Sequence, residues 1–325
     1  MAPRFGFVVH ALSPLHRAAI GVRSGNAAMA LYRDDGLSPA GITDLCTLRL
    51  GGLSGTVIAI PMTPEQLLAD QQRTLGRMAQ AVRMLGPVDA VGLGSLCAVV
   101  AGRGEALADA VDCPITTGGA ATAWALVENT LTAAARAQAE GPIAVIGSRS
   151  PVGKAVASRL AAAGWALRLD SRRAARKLPG AEGFDGPAAA AAGCSLIVGA
   201  GPTGGTLPAS AVTPGAVVVD VAIPATIIGR PPSGVRVFSG EALALPAQWR
   251  SRGWGWLYHL LAGYGLSQVY ACLVEPLVMA SLGRTTPLAL GRAVSDEAVQ
   301  VFGDEALRLG FRPVLLPDRG LLRWL

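Results

Sequence analysis

The chain has 325 residues, 51% of them hydrophobic and 15% charged, which excludes a disordered polymer and allows two or three domains with substantial cores. A net charge of +6 raises nucleic acid as a partner, but the basic residues are scattered apart from Arg172, Arg173, Arg176 and Lys177, aromatics are 5%, and no recognition motif is present. No nucleic acid is therefore expected, and the charge suits an anionic cofactor or an acidic partner.

Mean hydropathy is +0.43, yet the most apolar stretches are interrupted, residues 216–229 by Asp220 and Pro224 and residues 254–283 by His259, Gln268, Glu275 and Pro276. No transmembrane segment and no signal peptide are expected. The composition is compatible with peripheral membrane contact and with a cytoplasmic location.

In chain order, residues 5–12 and 55–61 read as strands. Thr63-Pro64-Glu65-Gln66 has the order of a helix start, and apolar residues at Leu67, Leu68, Leu75, Met78, Val82 and Leu85 carry a helical period to residue 85. A short apolar strand follows at 88–93, and a second helix is predicted from 119 to about 138 before Gly141-Pro142 breaks it. Strands at 143–146, 166–169, 195–198 and 216–219, with a helix at 152–163, then alternate as βαβ units and predict a parallel sheet. After Ser239 the pattern turns helical, with elements at 266–282 and 295–309, joined by the Trp-rich stretch 248–258. The predicted class is α/β: an N-terminal α/β substrate domain (1–140), a central Rossmann-type NADP(H)-binding domain (141–240) and a C-terminal helical region (241–325).

The strongest local signal is Ile143-Ala-Val-Ile-Gly147-Ser-Arg-Ser-Pro-Val-Gly153. A strand ends in Gly147, and a helix opens near Val152. Glycines there let the backbone approach a pyrophosphate at the positive end of the helix. The spacing is G-x5-G rather than GxGxxG. It is not a Walker A loop, because Gly153-Lys154 stands one residue too far and Ala155 lacks the hydroxyl that binds magnesium. The next strand ends in Leu169-Asp170-Ser171-Arg172-Arg173. An acid there suits the ribose diol of NAD, and arginines suit the 2′-phosphate of NADP; the arginines favour NADPH.

The five cysteines, Cys46, Cys97, Cys113, Cys194 and Cys272, show no metal or disulfide spacing. Cys272 lies on a predicted helix three residues before Glu275, so the two share a face, and Pro276 weakens the helix just beyond. Read alone, a cysteine on an apolar helix is more often a packed residue than a nucleophile.

The chain resembles the cyanobacterial long-chain acyl-[acyl-carrier-protein] reductases, which form aldehydes from fatty acyl thioesters. The resemblance rests on Phe5-Gly6 through His10, on Ile115-Thr116-Thr117-Gly118 with Thr122-Ala123, and on the loop from Val145 to Gly153 with Arg172. It continues through Val219-Asp220, Pro224, Tyr270-Ala271-Cys272 with Glu275, Gly291-Arg292 and Gly310-Phe311-Arg312-Pro313. It implies Cys272 as nucleophile; Glu275 is a candidate base or holds another group, and His10 is a candidate acid or binding residue, although a lone histidine on a strand is more often structural. It places NADPH on Gly147, Ser148, Ser150, Val152, Gly153, Arg172, Arg173 and Asp220; Thr116, Thr117 and Gly118 are candidates to line the substrate cleft at a helix N-terminus, or else cap that helix. The implied partner is an acyl carrier protein or coenzyme A thioester. The chain departs from the family at Ser150, where a glycine is usual, and over residues 242–267. An NADP-linked dehydrogenase with a packed Cys272 and a degenerate reductase kept as a scaffold are the alternatives.

Overall fold

The computed structural model describes residues 2–11, 42–253 and 264–317, which form two compact units. The first comprises residues 2–11, 42–119, 245–253 and Cys272–Ala293; the second comprises Ala120–Ala244, 264–271 and 294–317. The segment expected as a C-terminal helical region is thus shared between the units, and the helix after Gly118 goes with the second.

In the first unit, β1 (Arg4–His10) lies between β3 (Leu53–Ile60) and β4 (Ala90–Leu93), parallel to both, and β5 (Ile115–Thr116) extends the sheet beside β4, also parallel. On the other side β2 (Thr43–Leu50) pairs antiparallel with β3, and the strand Arg250–Gly253 pairs antiparallel with β2. From Phe5 to His10 every residue of β1 is buried, the pattern of a central parallel strand covered on both faces. Phe5 stands opposite Gly55 in the register, and its ring fills the space a side chain on Gly55 would need. Helices α1 (Pro64–Ala69) and α2 (Gln71–Met84) cover one face, with Leu67, Met78 and Val82 packed in one core with Val8, Ile58 and Val91.

The second unit is built on six parallel strands: β6 (Ile143–Ile146), β7 (Leu167–Leu169), β8 (Ala181–Gly183), β9 (Leu196–Gly199), β10 (Val217–Asp220) and β11 (Arg236–Ser239). Their spatial order is β8-β7-β6-β9-β10-β11, closed by an antiparallel strand at Leu316–Pro317. This is the 3-2-1-4-5-6 order of the doubly wound dinucleotide-binding sheet, whose chain direction reverses between β6 and β9. Helix α3 (Gly119–Ala137) packs on the helix Asp296–Arg308 through Trp124 and Phe302, whose rings meet edge-on at 5.6 Å. A β-carbon on Gly303 would overlap the Trp124 indole, so the tryptophan lies directly on helix backbone.

Three local expectations change. The helix expected over 63–85 breaks at Asp70, whose extended backbone (φ −141°, ψ 92°) starts a new helix and whose carboxylate accepts from the Arg73 N–H at 3.0 Å. The helix expected from 266 begins only at Ala271, because Gln268–Tyr270 pairs antiparallel with the strand Ala242–Ala244. That strand also pairs with Arg312–Pro313, so the region after Ser239 contains a small sheet as well as helices. Runs of three residues are too short for periodicity to reveal. Leu12 and residues 254–258 of the Trp-rich stretch lie outside the described residues.

Replacement of Asp70 by Ala removes the α2 cap and should lower stability by about 1 kcal/mol, read as a shift in urea midpoint at constant slope.

Candidate cofactor loop and cysteine site

In the second unit the loop 147–153 leaves the carboxyl end of β6 at the point where strand order reverses, the position at which open α/β sheets bind ligands. Gly147 has φ +85°, and a β-carbon on it would overlap the amide of Gly201 beyond the end of β9. Gly153 leaves equally little room, since its β-carbon would overlap the carbonyl oxygen of Gly147. Both glycines are therefore required by backbone packing. Ser150 stands at φ −67°, ψ 158°, which any residue adopts, so this position does not require a glycine. Its hydroxyl caps α4 (Pro151–Ala162) by accepting from the Gly153 N–H at 2.8 Å, and it donates to the carbonyl of Ala200 at 2.7 Å. The serine therefore ties the helix start to the neighbouring strand.

The other N–H groups of the loop can be followed one by one. Gly147 N and Ser148 N donate to the carboxylate of Asp170 at 2.7 and 3.0 Å, and the Ser148 hydroxyl donates to the same group. Ser150 N donates to Gly147 O, and Lys154 N donates to Ser150 O. Pro151 has no N–H. Among the described residues, the loop N–H groups left without a protein acceptor are those of Arg149 and Val152. They form a two-donor seat at the start of a twelve-residue helix, which suits a pyrophosphate. Arg149, exposed at the loop tip, was not singled out by sequence reasoning; its neighbours Ser148 and Ser150 drew attention only as loop positions.

Beyond β7, Arg172 begins the short helix α5 (Arg172–Ala175) and pairs with Asp185 at 2.8 Å. Both side chains are exposed, so the pair contributes little and is easily exchanged for a phosphate. Arg173 is exposed beside it. Asp220, expected as a cofactor residue, is buried at the end of β10. Its carboxylate accepts from Ala222 N at 3.0 Å, Thr226 N at 2.8 Å and the Thr226 hydroxyl at 2.8 Å. Asp220 thus holds the turn 220–226, which contains the cis Ile223–Pro224 bond.

In the first unit Cys272 occupies the first turn of α6 (Ala271–Ser281) and is partly exposed. Three contacts set this helix on the sheet. Gly118 (φ +73°), just before α3, lies so close that a β-carbon would overlap that of Cys272. Glu275, fully buried, accepts from the hydroxyl of Thr116 on β5. Pro276 packs on Gly92 of β4, where a β-carbon would stand 2.7 Å from the proline ring. Pro276 also withholds the N–H that an ordinary helix would give to the Cys272 carbonyl. Thr116 and Thr117 both reach the carbonyl of Ala289, at 3.0 and 3.3 Å, and the Thr117 N–H reaches it at 2.9 Å. The structure therefore brings Cys272, Glu275, Thr116 and Gly118 into one cluster, with Thr117 alongside.

His10 plays a different part. It is buried at the end of β1, its Nδ1 donates to Ala11 O at 2.9 Å, and its Nε2 accepts from Leu96 N at 3.3 Å. Both nitrogens hold backbone, and burial pushes the imidazole down to about 4, so it stays neutral at pH 7. This is the setting of a packed histidine, the role that a lone histidine on a strand more often has. Of the other thiols, burial pushes Cys97 up to about 12 and Cys113 up to about 11, which leaves both protonated and unreactive at neutral pH.

No family model matches the chain. A curated relative, aminotransferase PigE of Serratia sp. (strain ATCC 39006), is 25% identical over an alignment covering 95% of the chain. That alignment covers 39% of the relative, so the chain spans about two-fifths of the length of the protein it matches. Among solved structures, phosphoglycerate oxidoreductase from Vibrio cholerae O395 aligns with 70% of the chain and 78% of its own, at 10% identity and a TM-score of 0.30. At that score the fold rests on the sheet order described above. No helix among the described residues is long and apolar enough to cross a membrane.

The low value for His10 has a measurable consequence. The unfolded chain takes up this proton near 6.5 and the folded one only near 4, so the contribution to stability is complete above 6.5 and is lost as pH falls toward 4. The loss should approach about 3 kcal/mol. Urea unfolding at pH 7 and pH 4.5 should show this component in the wild type, and it should be missing from the difference measured for His10→Gln.

Proposed function

We propose that the protein is an NADPH-dependent oxidoreductase that reduces an acyl thioester to an aldehyde through an acyl-Cys272 intermediate. One observation carries the reading: a chain whose parallel sheet offers a pyrophosphate loop at its reversal point also holds a partly exposed thiol in the first turn of a helix. Gly147 and Gly153 let the loop pack tightly against the ends of β6 and β9, the N–H groups of Arg149 and Val152 receive the pyrophosphate of the dinucleotide, and Arg172 and Arg173 take the 2′-phosphate. When bound, NADPH supplies the hydride.

The rest of the chemistry belongs to Cys272. The positive end of the α6 dipole favours negative charge on its sulfur. The thiolate attacks the thioester carbonyl; a new C–S bond forms, and the carrier thiol leaves with a proton. After hydride reaches the carbonyl carbon, the thiohemiacetal breaks its C–S bond, giving the aldehyde and returning the Cys272 thiolate. Glu275, through Thr116, holds the helix that carries the sulfur and is a positioning residue in this scheme. Gly118 lets the chain after β5 lie directly on the backbone and Cβ of Cys272. The net charge of +6 complements an acidic acyl carrier protein or the phosphates of coenzyme A.

The aminotransferase relative suggests a second reading. Amino-group transfer through a pyridoxal cofactor needs a lysine amine in the site. The sequence contains only Lys154 and Lys177, and both side chains are exposed. An aldehyde is the kind of carbonyl compound that amino-group transfer consumes, so similarity to part of an aminotransferase accords with a reductase.

Intact-protein mass spectrometry tests the proposal. Wild type incubated with palmitoyl, octanoyl and acetyl thioesters should gain an acyl mass from at least one of them, NADPH should discharge it with release of aldehyde, and Cys272→Ser should gain none. Nicotinamide binding without any adduct across the panel would transfer the assignment to an ordinary dehydrogenase in which Cys272 is only packed.

A further inference from the structure

The end of β7 carries two signals that conflict. An acid there ordinarily accepts from the ribose diol of NAD, and a carboxylate repels the 2′-phosphate of NADP, yet Arg172 and Arg173 follow Asp170 directly. The geometry resolves the conflict. Asp170 faces back into the loop, where Oδ2 accepts from Gly147 N and Oδ1 from both the N–H and the hydroxyl of Ser148. Of the roughly four lone-pair positions of a carboxylate, three are filled. Three donors offset its charge, so a phosphate held by the arginines nearby meets a compensated group. The same bonds draw the first two N–H groups of the loop away from a ligand, while those of Arg149 and Val152 have no protein acceptor among the described residues.

We infer that Asp170 is a positioning residue that latches the dinucleotide loop and does not read the ribose, so that the choice between NADPH and NADH falls to Arg172 and Arg173. The inference rests on the nicotinamide reading proposed above. Ser148 is the partner in the latch: its hydroxyl is committed to Asp170, and its burial to 1% keeps it from a cofactor. Loss of the latch disorders the pyrophosphate seat, which NADPH and NADH share, and leaves the arginines untouched.

The test compares dissociation constants of NADPH, NADH and adenosine 2′-monophosphate, which lacks a pyrophosphate, for the wild type, Asp170→Asn and Ser148→Ala. Asp170→Asn should weaken both dinucleotides by the same factor, about tenfold, as expected when one charge-assisted hydrogen bond is lost from the loop. Ser148→Ala should weaken both equally and by less, and neither change should alter binding of the 2′-monophosphate. A selective loss of NADH with NADPH retained or improved would make Asp170 a ribose reader and overturn the latch. Parallel loss of the 2′-monophosphate would show general collapse of the domain and overturn it equally. If Asp170→Asn does not fold, Ser148→Ala decides by the same ratios. A wild type that binds neither dinucleotide would remove the cofactor reading itself, an outcome distinct from the others.

Discussion

Both candidate sites depend on backbone lying against backbone where no β-carbon fits. At Gly147 the neighbour is the amide of Gly201, so the carboxyl ends of β6 and β9 close on each other where the sheet reverses. At Gly118 the neighbour is Cys272, so the chain after β5 lies directly on the first turn of α6. Packing of this kind is nearly rigid, because an atom rather than a flexible side chain sets the distance. It places the loop 147–153 in one unit and the first turn of α6 in the other with little slack. The abundance of glycine, 41 residues, thus has a packing use at these positions.

Carboxylates do much of the remaining work, and they do it on main-chain N–H groups. Asp70, Asp170 and Asp220 each accept from backbone a few residues away or across a loop. A buried N–H without an acceptor costs about as much as a lost hydrogen bond, and an ionised acceptor repays that cost better than a neutral one. Three irregular segments, the α1–α2 break, the dinucleotide loop and the turn after β10, therefore hold their shapes without regular secondary structure. Ser150 does the same at the start of α4 with a hydroxyl.

Much of this could be read in the sequence, and the rest resisted for physical reasons. The strand Ile143–Ile146 and the start of α3 at Gly119 stand at their expected positions because glycine marks them off sharply. The glycines of the loop were legible for the same reason. The strand Thr43–Leu50 was not, since it carries a bulge between Asp44 and Cys46 that spoils strict alternation. Direction was the harder problem: Asp170 and Asp220 were visible as acids at strand ends, but a residue type does not say whether its oxygens face a ligand or the chain's own amides. His10 illustrates the same limit, as a histidine among buried valines whose two nitrogens both meet backbone. The grouping of Thr116 with Glu275 spans 159 positions, and no local pattern could have joined them without the family resemblance.

Pro276 on Gly92 carries a consequence for transplantation. The helix bearing Cys272 lacks one of its own hydrogen bonds and takes its pose from two glycines and a threonine on neighbouring segments. The address of the sulfur is thus written in β4, β5 and the turn at Gly118 rather than in the helix. Grafting the Tyr270–Glu275 motif alone into another scaffold would move the cysteine without its surroundings.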